Sequence, residues 1–171
     1  MSSVLSVFAV IIAGLAQATV APLFPIDAAV AELPLLTLAL IAFTAGPRQA
    51  MVCAPIAALC TGFATDRAPG LLLLGYLPLL PLALVLEEAE LPLPRYPRVL
   101  VAVVACGAWM RGILAASAMA QGAPVVVSPL VGDIIVPGML FDAVLVSIAY
   151  LPLKLVGWSP RSVSLRRAGW L

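Results

Sequence analysis

Long apolar blocks, separated by short turns rich in proline and sparing in charge, make up nearly the whole chain. Residues 99–122, VLVAVVACGAWMRGILAASAMAQG, show the pattern: a stretch long enough to cross a bilayer, with one arginine, Arg111, near its middle. A helix needs about 20 apolar residues to span about 30 Å of hydrocarbon. Six blocks read as such helices: Val4–Ala21, Leu33–Ala45, Gln49–Ala64, Leu71–Leu86, Val99–Gln121 and Asp133–Val156. The first ends at Pro22-Leu-Phe-Pro25, which cannot continue a helix cleanly. The second is short, so it recruits part of the preceding acidic connection (Asp27, Glu32) or lies tilted within a bundle. Pro78 and Pro81 interrupt the fourth, and prolines in membrane helices kink them where neighbours satisfy the freed carbonyls. The fold expected is all-α, a single integral membrane domain over residues 1–171 with six transmembrane helices.

Composition agrees with this pattern. The 171 residues are 64% hydrophobic and 10% charged, with a mean hydropathy of +1.18, whereas a soluble domain carries roughly 25% charged residues. Six spans leave no room for an extramembrane domain with its own core. A net charge of +1 provides no basic field for nucleic acid. Counting basic residues gives an orientation. With the N-terminus in the cytoplasm, the inner segments hold Arg48, Arg95, Arg98, Lys154, Arg161, Arg166 and Arg167, and the outer loops hold only Arg67. Both ends are therefore expected inside, with Trp158 and Trp170 at the inner boundary. The first apolar run has no preceding Lys or Arg and reads as a retained span rather than a cleaved signal.

Reactive side chains are few. The chain has no histidine, which removes Ser-His and Cys-His nucleophilic pairs and the common zinc sites. Cys53, Cys60 and Cys106 fall inside apolar spans without disulfide or metal spacing and read as small buried hydrophobes. Asp133 and Asp142 would sit on opposite faces of one helix, about 13 Å apart along its axis, so they cannot share a proton. No catalytic residue, cofactor or metal is expected.

Two features stand out instead. Arg111 lies about 18 Å from the inner start of the fifth span, and Asp142 about 15 Å from the inner end of the sixth, so the two can meet at similar depth. An unpaired charge there costs at least about 3 kcal/mol. The pair reads as a buried clip between two helices, or as the lining of a polar cavity or partner contact, with a lipid-handling groove as a further reading. Small residues give the second feature: Ala50, Ala54, Ala58 and Gly62 recur at every fourth position of the third span, and Ala108, Gly112, Ala116 and Ala120 do so on the fifth. Such stripes let membrane helices approach closely. One is expected to pack inside the bundle, leaving the other for a partner's helix. Asp66 and Arg67 form a polar outer elbow in which Asp66 is expected to cap the following turn and pair with Arg67. Glu87, Glu88 and Glu90, facing Arg95 and Arg98, read as a solvated inner loop or a docking site for a cytoplasmic partner.

The chain resembles the MreD family of bacterial rod-shape proteins over nearly its whole length. The likeness lies in Gln17 before a proline-rich outer loop, Pro34 opening the second span, the Gly62-Phe63…Asp66…Gly70 elbow, and a basic C-terminus. The family has an acidic residue after the second-span proline, whereas Leu35 follows Pro34 here. The resemblance implies a non-catalytic scaffold of the elongasome in the bacterial cytoplasmic membrane. Such a scaffold binds MreC and, through it, MreB and the peptidoglycan polymerase and transpeptidase. It also implies a fold similar to the substrate-binding subunits of energy-coupling-factor vitamin importers, which supplies the alternative function. The scarcity of polar side chains on the outer loops favours the scaffold.

Overall fold

The computed structural model describes residues 3–23, 30–88, 94–124 and 126–155, and these hold only helices and turns. In chain order the helices are α1 (Ser3–Thr19), α2 (Leu33–Thr44), α3 (Pro47–Thr65), α4 (Pro69–Tyr76), α5 (Leu79–Glu88), α6 (Arg95–Ala120), the single turn α7 (Val127–Pro129) and α8 (Val136–Leu155). Because α4 and α5 form one interrupted segment, the six apolar blocks correspond to six helical segments. Four segments are long and apolar enough to cross a membrane: Ser3–Leu23, Pro69–Glu87, Tyr96–Ala120 and Leu130–Pro152. The chain is, on this evidence, a multi-pass membrane protein. Trp158 and Trp170, expected at the inner boundary, and Glu90 lie outside the described residues.

Helix boundaries follow local chemistry. Gly46 adopts φ 105° ahead of Pro47, allowing α2 to turn directly into α3, and Pro47 occupies the first helical turn, where its missing N–H costs nothing. At the other end of α3, Asp66 takes the left-handed conformation (φ 55°) and its N–H returns to the Gly62 carbonyl, a conformation that Asp tolerates better than most residues. This corrects the expectation for the elbow. Asp66 closes α3 rather than capping the next turn, and the residue before α4 is Ala68, with no side-chain cap.

The interruption between α4 and α5 also has a local cause. Pro78 has no N–H to offer the Leu74 carbonyl one turn back. The Trp109 indole N–H of α6 approaches that carbonyl instead, at 3.4 Å. A neighbouring helix thus supplies the donor that proline removed.

The centre of the bundle is α2, although it has only 12 residues. It packs against α1, α3, α5, α6 and α8. Eight of its residues are buried: Pro34, Leu35, Leu36, Leu38, Ala39, Ile41, Ala42 and Phe43. A helix apolar on every side belongs in a core. Surrounded by other helices, α2 does not have to match the bilayer thickness, which accounts for its shortness. Around it run α1 along α3 and α6 against α8. At the base of the second pair, the Ser147 hydroxyl donates to the Ala143 carbonyl at 2.7 Å. It therefore accepts from the Tyr96 hydroxyl, 2.6 Å away. The Tyr96 and Tyr150 rings meet with centroids 5.4 Å apart.

Candidate functional site

A helix that begins inside a bundle exposes unpaired N–H groups where water cannot reach them. Side chains from two other helices supply the missing acceptors for α2. The Leu33 N–H donates to Gln17 Oε1 of α1 at 2.8 Å, and the Glu32 N–H donates to Asp142 Oδ1 of α8 at 3.2 Å. Pro34 has no N–H to satisfy. The Asp142 carboxylate also sits at the positive end of the α2 dipole.

Arg111 completes the arrangement. Its Nη1 donates to Asp142 Oδ2 at 2.8 Å, and its Nη2 donates to the Val30 carbonyl at 3.1 Å. The structure therefore brings Arg111 and Asp142 together, Arg111 only 5% exposed and Asp142 fully buried. Both carboxylate oxygens are used, one on the guanidinium and one on the start of α2. The pair is thus a three-way junction: it joins α6 to α8 and pins the segment that opens α2.

Two glycines make room for it. A Cβ on Gly107 would stand 2.9 Å from both Arg111 Nη1 and Asp142 Oδ2, and one on Gly138 would overlap Arg111 Nε. Gly107 lies one turn before Arg111, and Gly138 one turn before Asp142. Helical side chains lean back over the preceding turn, so a glycine four residues ahead of a lone intramembrane charge is a readable signal. Sequence reasoning missed both glycines, and it also missed that Gln17 and Asp142 accept the N–H groups at the start of α2.

At the elbow, Arg67 does not serve as a local partner for Asp66. Its Nη1 lies 3.8 Å from Glu32 Oε1, with the arginine side chain 45% exposed and the glutamate 6%. Burial away from water pushes the Glu32 carboxyl up to about 7, against the opposing pull of Arg67 and Arg111. Asp133 is exposed. It stands at the rim of a groove of about 440 Å³ lined by Leu114, Ala118, Leu130 and Ile134, with Arg111 on its wall. The segment bearing Asp133, Leu130–Ile135, is a π-helix leading into α8.

The two small-residue stripes part ways. Ala50, Ala54 and Ala58 are buried, at 1%, 5% and 2%. Gly62 is buried as well, but against the elbow: its Cβ would meet Pro69 Cγ at 2.7 Å and the Arg67 carbonyl at 2.9 Å. On α6, Ala108 is half-buried, whereas Gly112, Ala116 and Ala120 are exposed, and nothing lies within 4 Å of a Cβ placed on Gly112. Of the cysteines, Cys53 and Cys106 are buried and Cys60 half-buried, all unpaired as thiols. Among the described residues, no three His, Cys, Asp or Glu side chains are grouped to hold a metal ion. No family model, no curated protein and no solved structure matches this chain.

Proposed function

We propose that the chain is a non-catalytic scaffold of the bacterial cell-wall elongation machinery, similar in role to MreD. It sits in the cytoplasmic membrane with both ends inside, binds the single-span protein MreC, and connects through it to MreB and the peptidoglycan polymerase and transpeptidase. The observation that carries this reading is the division between the two small-residue stripes. Ala50, Ala54 and Ala58 are covered by the bundle, while Gly112, Ala116 and Ala120 face outward with open space at Gly112. Small residues on a membrane-exposed helix face allow another helix to approach closely. The strongest polar contacts inside the bundle support the same reading, because they hold the start of α2 in place.

Purification from the native membrane tests the proposal. A coiled-coil, single-span protein is expected to co-purify, and a photo-cross-linker at position 112 is expected to capture it. In a chain without the cross-linker, Gly112→Leu is expected to abolish the co-purification while leaving folded yield unchanged. Co-purification of ATPase subunits or a bound vitamin would replace the scaffold with the importer-subunit reading, and purely intramolecular cross-links would remove the α6 face as the contact.

A further inference from the structure

The groove between α6 and the segment leading into α8 plays no part in the junction that opens α2. Leu114, Ala115 and Ala118 of α6 form one wall, and Leu130 and Ile134 the other, around about 440 Å³. With Arg111, the three α6 residues share one face of the helix, so the groove runs along the helix axis. Arg111 marks its deep end, roughly 10 Å along that axis from Ala118. Because Arg111 is only 5% exposed, the groove reaches past the helix surface into the bundle. Asp133 stands at the mouth, exposed, and no hydrogen bond or ion pair joins it to another described residue. Nine residues of regular α-helix would turn Asp133 to the face opposite Asp142. The π-helix Leu130–Ile135 breaks that register, and Asp133 borders the groove that Arg111 also lines.

Size and lining limit what can fill this space. Such walls do not hold water, since a buried water needs two to four polar partners. A partner's helix is too wide: spread over roughly 10 Å, the volume leaves a channel about 7 Å across, against about 10–12 Å for a helix with its side chains. An extended hydrocarbon chain fits. The groove follows a helix long and apolar enough to cross a membrane, so it points the way acyl chains lie. Its length of roughly 10 Å is most of one leaflet's share of a core about 30 Å thick. Charge then selects the headgroup. Asp142 neutralises Arg111 from behind at 2.8 Å, so the deep end calls for no anion. The carboxylate at the mouth attracts an ammonium that donates N–H bonds, and it repels an anionic headgroup.

We propose that this groove holds one acyl chain of a phospholipid whose ethanolamine-type headgroup sets its ammonium on Asp133. The chain lies between Ala118 and Leu130 and points toward Arg111, while the headgroup stays at the mouth. The α6 face offered to a partner helix, Gly112, Ala116 and Ala120, lies about 100° round the helix from this groove. The lipid site therefore stands whether or not that partner binds.

Native mass spectrometry of the full chain, released from nanodiscs of equal parts phosphatidylethanolamine and phosphatidylglycerol, tests the proposal. One retained phosphatidylethanolamine is expected, favoured over phosphatidylglycerol roughly two- to fivefold, the selectivity an exposed ion pair provides. Asp133→Asn is expected to remove the preference, and Asp133→Lys to reverse it. Ala118→Trp fills the groove and is expected to expel the lipid. Leu140→Trp, at a position 64% exposed on α8 and outside the groove lining, is expected to change nothing. Asp133 is exposed, so its two variants decide the matter even if Ala118→Trp fails to fold. Equal retention of the two lipids by the parent would overturn the proposal. So would a preference unmoved by Asp133→Lys, full retention in a folded Ala118→Trp, or recovery of a water-soluble molecule in place of lipid.

Discussion

Arg111 and Asp142 neutralise one another inside the bundle, and removing either leaves a buried charge alone. Arg111→Leu or Asp142→Leu is expected to cost about 3–5 kcal/mol, the usual penalty for breaking a buried pair. The double variant is expected to be more stable than Arg111→Leu alone, since two contacting residues do not contribute additively. Thermal unfolding in detergent measures both. Gly138→Ala puts a methyl group against the Arg111 guanidinium and is expected to cost about 1–3 kcal/mol through forced repacking. Glu32 makes stability depend on pH. Its carboxyl rises from 4.5 to about 7 in the folded protein, chiefly because it is buried away from water. Below about pH 4.5 the folded and unfolded chains both hold the proton, and nothing is lost. As pH climbs through about 7, the folded chain has to ionise a buried acid and loses up to roughly 3 kcal/mol. Glu32→Gln is therefore expected to match the parent in acid and to exceed it above neutrality, which melting curves at several pH values would show.

At the level of elements, proline placement made most of the passes readable. Pro47 and Pro69 open α3 and α4, and Pro78 breaks the fourth pass, each at the position where a missing N–H either costs nothing or must be replaced from elsewhere. The depth match between Arg111 and Asp142 was also legible, because a rise of about 1.5 Å per residue places both charges on one scale. The junction itself was not. Gln17 and Asp142 act on backbone N–H groups at the start of α2, and no side-chain pattern records which N–H is left over when a helix starts inside a protein. Arg67 reaching Glu32 rather than Asp66 was hidden for a related reason, since the route of the segment before α2 is set by packing and not by local turn chemistry. Trp109 offers a direct check on how the broken pass is held. Trp109→Phe keeps the ring but removes the donor to the Leu74 carbonyl, and is expected to lower stability by about 0.5–1 kcal/mol. Amide hydrogen exchange in α4 and α5 is expected to quicken with it.

For the molecule as a whole, the start of α2 is completed by a side chain far along the chain. Asp142 accepts the Glu32 N–H across 110 residues of sequence. A ribosome adding about 5–20 residues per second takes roughly 5–20 s to cover that distance. During that interval α2 has emerged, but the amide at its start still waits for α8 to be made. The chain is therefore expected to settle late in synthesis: a nascent polypeptide halted after α6 should leave the 30–44 region open to protease, and one extended through α8 should close it. Quality control in the membrane would then act on a protein whose middle is fastened by a helix made long after it.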